Sequence, residues 1–158
     1  MHHLVLNDEV LTGFDTRYKV APPLRDEATR KALIAGVLDG TIDCITSDHN
    51  PLDIELKKLE FDLAKDGTIG LESAFGALLT VLPLEVVIQK LTAAKTIFGI
   101  AKNSIKIGNK AEISFFTTKE NWTFQKENML SKSKNSAFLG QKMQGKAIGI
   151  YNNGILNI

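Results

Sequence analysis

One cysteine, Cys44, and one tryptophan, Trp122, stand among 158 residues. A lone thiol excludes an internal disulfide and suits a reducing compartment; inside an apolar stretch, Cys44 reads as a small buried hydrophobe. No apolar run approaches the roughly 20 residues of a membrane span, and no signal peptide is expected ahead of residue 1. Both points favour a cytoplasmic setting. Excess charge of one sign is missing too: 19 Lys and Arg face 18 Asp and Glu, a net charge of +1. The chain thus lacks the electrostatic footprint of a nucleic-acid binder. Its lysine-bearing stretch 131–135 has no interleaved aromatics on which bases would stack. The length suits one domain or part of one.

What is present centres on residues 42–51. Ile42-Asp43-Cys44-Ile45-Thr46 opens with β-branched residues and predicts a buried strand. Ser47-Asp48-His49-Asn50-Pro51 then turns polar, and Pro51 forbids regular continuation. Asp48 and His49 are therefore expected just past the C-terminal end of a strand, where catalytic groups sit in a parallel α/β barrel. On turn chemistry alone, an Asp there is more often a turn former or helix N-cap.

The flanking segments have their own signals. Asp26 is an N-cap, apolar residues recur at helical spacing after it, and Gly40 is the expected residue past the C-terminus. This predicts a helix over 26–39. Pro22 and Pro23 make 19–23 stiff and extended. His2 and His3, read as part of an extended segment, point to opposite sides, and neither is assigned to a metal. The loop 52–66, with Lys57 among its charges of both signs, reads as a solvated face or a site wall. Gly67 and Gly70 permit close approach to a ligand. A helix is predicted over 70–82, stopped by Pro83, then another over 84–92 and a further turn or two over 93–98. Lys95 there reads as a solvated surface lysine. From Ile105 the pattern changes to short β-elements at 105–107, 112–117 and 122–124, with a hairpin around Asn152-Asn153-Gly154.

Several of these stretches together resemble one family. They are His2-His3-Leu4, Lys19-Val20-Ala21-Pro22-Pro23-Leu24-Arg25, the run from Asp39-Gly40 through Asp48-His49-Asn50-Pro51-Leu52, Gly67-Thr68-Ile69-Gly70-Leu71-Glu72-Ser73-Ala74-Phe75, and Ala94-Lys95-Thr96-Ile97-Phe98-Gly99. In this order they resemble the dihydroorotases of the cyclic amidohydrolase superfamily. The resemblance implies an α/β fold: the C-terminal part of a (β/α)8 TIM-like barrel over 1–103, from the end of strand seven through helix eight. A small β segment of a composite sandwich would follow over 104–158. A complete barrel takes about 250 residues, so a fragment is expected, with a truncation or an artificial start at Met1. With the partner strands of the sandwich absent, its sheet edges should be exposed.

The implied activity is a hydrolase of pyrimidine biosynthesis that interconverts N-carbamoyl-aspartate and dihydroorotate. It would use one or two divalent ions, zinc in this reading, as Lewis acids. Asp48 is implied to be both metal ligand and proton-transferring base. The substrate-binding positions are Ala21, Leu52, Asp66 and Gly67. Three depart from the family pattern, which has Asn at 21, His at 52 and usually an aromatic at 66. The other metal ligands lie in segments outside this sequence, so the fragment alone is expected to be inactive and not to retain zinc. Implied partners are the small-molecule substrate, the remainder of the barrel and a homo-oligomeric copy. Two alternatives are a non-catalytic assembly partner of aspartate carbamoyltransferase and a cyclic amidohydrolase acting on another ring.

Overall fold

Residues 27–38 form a helix because Asp26 stops the backbone in an extended conformation and its carboxylate accepts the Thr29 N–H at 2.7 Å, as an N-cap does. The computed structural model describes residues 1–101 and 104–158. Its helices are α1 (His2–Val5), α2 (Glu27–Leu38), α3 (Ala74–Leu78), α4 (Leu84–Thr92) and α5 (Ala94–Ile97). Its strands are β1 (Glu112–Thr123), β2 (Lys142–Asn152) and β3 (Ile155–Asn157). Gly40, at φ +90°, turns the chain away after α2. Pro83 serves as N-cap of α4. The expected boundary between 103 and 104 adjoins residues 102 and 103, which lie outside the described residues.

The strands form an antiparallel sheet in the order β1-β2-β3. Asn153 (φ +51°) and Gly154 (φ +80°) make the tight turn between β2 and β3, which requires left-handed backbone at both positions. The expected short strands 112–117 and 122–124 are one strand, with register shifts between Phe115 and Phe116 and between Thr117 and Asn121. The expected strand at 105–107 does not form; no partner pairs with it among the described residues. The outer edges of β1 and β3 have no strand beside them among the described residues.

Helix α3 lies across β2 because Gly76 has no side chain. A Cβ there would sit 3.1 Å from both Gly145 O and Met143 Cβ. The predicted helix 70–82 is α-helical only over Ala74–Leu78, with turns on either side. Ile69, Leu78, Val87, Phe124, Phe138 and Met143 are essentially inaccessible and form the core between the helices and the sheet.

The stretch 42–46 departs from its expectation: it forms no strand. A parallel-barrel strand takes its backbone partners from neighbouring strands, and among the described residues none lies beside it. Helix α4 holds it instead. Lys90 Nζ donates to Ile42 O at 2.5 Å, and Ile45 N–H donates to Lys90 O at 3.0 Å. With no sheet on either side, Cys44 is half-buried rather than buried. The histidine pair departs as well, since His2 and His3 lie in α1 and not in an extended segment.

Gly145 generates a stability prediction. It sits at φ +69°, and an added Cβ would meet Thr117 O at 2.6 Å and Leu79 Cδ1 at 2.7 Å. Left-handed strain of roughly 1–2 kcal/mol and overpacking of about 1–3 kcal/mol act together. Gly145→Ala should therefore lower the urea midpoint by the equivalent of about 2–5 kcal/mol. Gly140→Ala, at φ +84° with nothing within 4 Å of the new Cβ, should lose only the strain.

Candidate functional site

Three chain segments converge around Asp48: 47–52, 66–71 and 131–137. The middle one is the buried spine, with Gly67, Thr68, Ile69 and Gly70 all inaccessible. Asn50 N–H donates to Thr68 O at 2.9 Å on one side, and Ile69 N–H donates to Asn135 O at 3.0 Å on the other. The Asn135 amide donates to Gly67 O at 2.9 Å, and Ala137 N–H to the Thr68 hydroxyl at 2.8 Å.

Asp48 has φ +48°, a left-handed conformation at a non-glycine residue. Asp tolerates it better than most residues, and it turns the side chain outward; the carboxylate side chain is 56% exposed. Its near neighbour is His2, whose Nε2 lies 3.8 Å from Asp48 Oδ2 and which is itself 1% exposed. Burial, helped by the amino terminus and His3, pulls the His2 imidazole down to about 3. His2 is therefore neutral near pH 7 and the contact is not an ion pair. Both His2 nitrogens lack a hydrogen-bond partner among the described residues. Sequence pattern places His2 in an extended segment; its position beside Asp48 is set by α1 packing on α2, where Arg30 Nη1 donates to Leu4 O at 3.0 Å.

His49, one residue on, has the opposite role. Its Nδ1 accepts N–H bonds from Gly70 and Leu71, each at 3.2 Å. The ring proton therefore sits on Nε2 and is donated to the Ser131 hydroxyl at 3.2 Å. Ser131 N–H in turn donates to Glu72 Oε1 at 2.8 Å. Burial works to raise Glu72, but the hydrogen bond from Ser131 outweighs it, and the carboxyl lies below its ordinary value. The stretch 131–135, featureless in sequence, is the buttress of this loop.

The remaining sequence-selected positions gather nearby. Ser133 Oγ donates to Leu52 O at 2.7 Å. Gly67 is held at φ +143°, where a Cβ would lie 2.7 Å from the Asn50 amide and 3.1 Å from Leu52 Cδ1. The close approach that glycine permits here is thus to the protein's own Asn50. Gly67 N–H donates to Lys19 O at 3.0 Å, which ties the segment carrying Ala21 to the same loop. Ala21 and Asp66 are exposed, and Asp66 O accepts the Asn50 amide at 3.4 Å. Leu52 borders a cleft of about 430 Å³ shared with Lys58, Lys126, Lys132 and Lys134.

Of the two readings of loop 52–66, a solvated face or a site wall, the solvated one does not hold for Lys57. It is 3% exposed, and its Nζ donates to Lys65 O at 2.7 Å and to Lys19 O and Gly67 O at 3.2 Å. Alternating charges cannot reveal which one turns inward. Burial lowers its pKa to about 8, with Lys19 acting the same way and Asp66 and Asp15 opposing. The unfolded chain therefore binds more protons than the folded one between about pH 8 and 10.5. Stability from this group should rise with pH through that window and be flat below it. Urea denaturation at a series of pH values should show the rise in wild type and its absence in Lys57→Met.

Among the described residues, no three His, Cys, Asp or Glu side chains are grouped to hold a metal ion. No helix among them is long and apolar enough to cross a membrane.

No protein-family model matches the chain. It is 39% identical over 160 residues to a dihydroorotase of Caldicellulosiruptor saccharolyticus, matching 97% of this chain and 37% of that protein. A dihydroorotase of Carboxydothermus hydrogenoformans is 40% identical over 166 residues, with 98% and 38% covered. The fold matches part of an L-hydantoinase (dihydropyrimidinase) from Arthrobacter aurescens with a TM-score of 0.87 at 23% identity, over 98% of this chain and 37% of that one. The chain thus spans a little over a third of the length of these proteins.

Proposed function

Because the chain belongs to the dihydroorotase family of cyclic amidohydrolases, we propose that it is the part of a dihydroorotase that carries the catalytic carboxylate, Asp48. In this reading it is the closing segment of a (β/α)8 barrel and contributes a β segment to the neighbouring sandwich. The observation that carries the proposal is the contrast between Asp48 and His49. An exposed carboxylate sits in left-handed backbone directly before a histidine anchored on three partners. Left-handed backbone at a non-glycine residue costs about 1–3 kcal/mol and clusters at functional sites. Phe14 and Asn153 share that backbone away from the site, so it is the exposed carboxylate kept beside a braced histidine that disfavours the reading as an inactive partner of aspartate carbamoyltransferase.

The reaction interconverts N-carbamoyl-aspartate and dihydroorotate. In the opening direction water adds to the ring carbonyl, the C–N bond breaks and the nitrogen leaves with a proton. Asp48 takes the proton from the attacking water and returns it to the departing nitrogen; in ring closure the same carboxylate works in reverse. The anchored His49 keeps the Asp48 backbone from drifting as the proton moves. A divalent ion, zinc in this reading, supplies Lewis-acid polarisation when bound. Catalytic zinc takes about three protein ligands. Asp48 is one, and the residues of this chain do not by themselves fit such an ion. The rest of a longer protein would supply the others.

Ala21, Leu52, Asp66 and Gly67 line the proposed substrate side. Ala21 and Leu52 have no side-chain group to bind a substrate carboxylate. The lysines around the cleft beside Leu52 offer positive charge in their place.

Two predictions follow from these roles. In the complete protein, Asp48→Asn should reduce turnover by about 10²–10⁴-fold or more, because the amide cannot accept the proton. Leu52→His should keep turnover and act mainly on KM. Steady-state ring opening and closing, with metal content measured for each variant, decides this. A wild type inert toward both compounds with its metal complement present would overturn the assignment. The 158-residue chain alone should show neither turnover nor an ion that survives dialysis against a chelator; a stoichiometric, chelator-resistant ion would contradict the ligand count.

A further inference from the structure

A lysine ammonium is seldom buried without a carboxylate beside it. Among the described residues, no carboxylate lies within ion-pair distance of Lys57. Its three donors are matched instead by three main-chain carbonyls, Lys19, Lys65 and Gly67. These come from separate stretches of the molecule. Lys19 lies two residues before Ala21, and Lys65 and Gly67 flank Asp66. Lys19 O also accepts the Gly67 N–H, so one ammonium and one carbonyl lock the two stretches together. Lys57 is itself held by its N–H bond to Ile54 O at 3.0 Å, and Lys65 N–H donates to Leu56 O at 3.0 Å.

The clamp has a polarity. In a planar trans peptide the C=O and N–H point in opposite directions. With Lys65 O drawn to the ammonium, Asp66 N–H faces the other way. The positive charge behind the peptide strengthens that N–H as a donor toward an oxygen on the far side.

We propose that Lys57 is a positioning residue for ring recognition, fixing the Lys65–Asp66 peptide against the segment leading to Ala21 so that the Asp66 N–H meets an oxygen of a cyclic amide or its carbamoyl-amino-acid form. The catalytic part of this proposal rests on the dihydroorotase reading; the clamp does not. Lys57 touches no reacting atom and acts through the backbone it holds.

The test uses Lys57→Met and Lys57→Arg in the complete protein, with amide exchange measured alongside kinetics. Lys57→Met should raise KM for dihydroorotate by about tenfold or more, the scale of one lost charge-assisted bond, with kcat held within about threefold. Lys57→Arg, which keeps charge and donors, should recover most of that KM. Exchange at residues 65–68 should quicken by about tenfold in Lys57→Met while the β1–β2 ladder stays as protected as in wild type. An unchanged KM, or a loss shared equally by the ladder and by kcat, overturns the proposal. The wild type provides a check that survives a variant failing to fold: the Lys57 ammonium should give a slowly exchanging ¹⁵N signal at neutral pH. Exchange as fast as that of exposed lysines refutes the clamp. A metal-replete wild type that turns over neither compound refutes the dihydroorotase reading, and the exchange and ammonium measurements then judge the clamp on their own.

Discussion

The buried strip 67–69 is the constraint on which the site depends. It is hydrogen-bonded on both sides, to Asn50 and to Asn135, yet belongs to no sheet. Each bond contributes only about 0.5–1.5 kcal/mol net. Their importance lies in burial, because an unpaired amide there has no water to turn to. The strip cannot move without stranding polar groups, so residues 47–52 on one flank and 131–137 on the other are fixed relative to each other. Everything proposed for Asp48, Leu52 and Asp66 takes its geometry from that fixation.

Asp48 and His49 show how adjacent residues divide a task. Successive side chains leave the backbone in different directions, and the left-handed turn at Asp48 exaggerates the divergence. The carboxylate goes outward. The imidazole goes inward, where it joins Gly70, Leu71 and Ser131. A reader of the sequence sees two groups suited to proton transfer; the tautomer imposed on His49 by two backbone donors removes it from that role. His2, assigned no role from sequence, is the ring that lies beside Asp48.

The parts legible in the sequence are those fixed by neighbours in the chain. Asp26 and Gly40 bound α2, Pro83 opens α4, and Asn153-Gly154 turns the hairpin, each through chemistry confined to a few residues. What escaped reading depends on distant partners. The β-branched run 42–46 has strand composition but no strand beside it, so Lys90 holds it instead. The inward turn of Lys57 depends on Lys19, 38 positions away, as well as on Lys65 and Gly67. The stretch 131–135 looked like ordinary polar surface because its partners, His49, Glu72 and Leu52, lie 59 to 82 positions earlier. The family was legible through resemblance, which carries long-range information that local pattern does not.

The buttress of the site by residues 131–137 also sets an order of events. The hairpin of β2 and β3 closes a two-residue loop, an event of microseconds. The contacts of Ser131 with His49 and of Asn135 with Gly67 close loops of 82 and 68 residues. Their entropy must be paid before the contacts give anything back. The loop around Asp48 is therefore among the last places to acquire its shape. During synthesis, Asp48 emerges long before the segment that braces it, and the loop stays unbraced until residues 131–137 arrive.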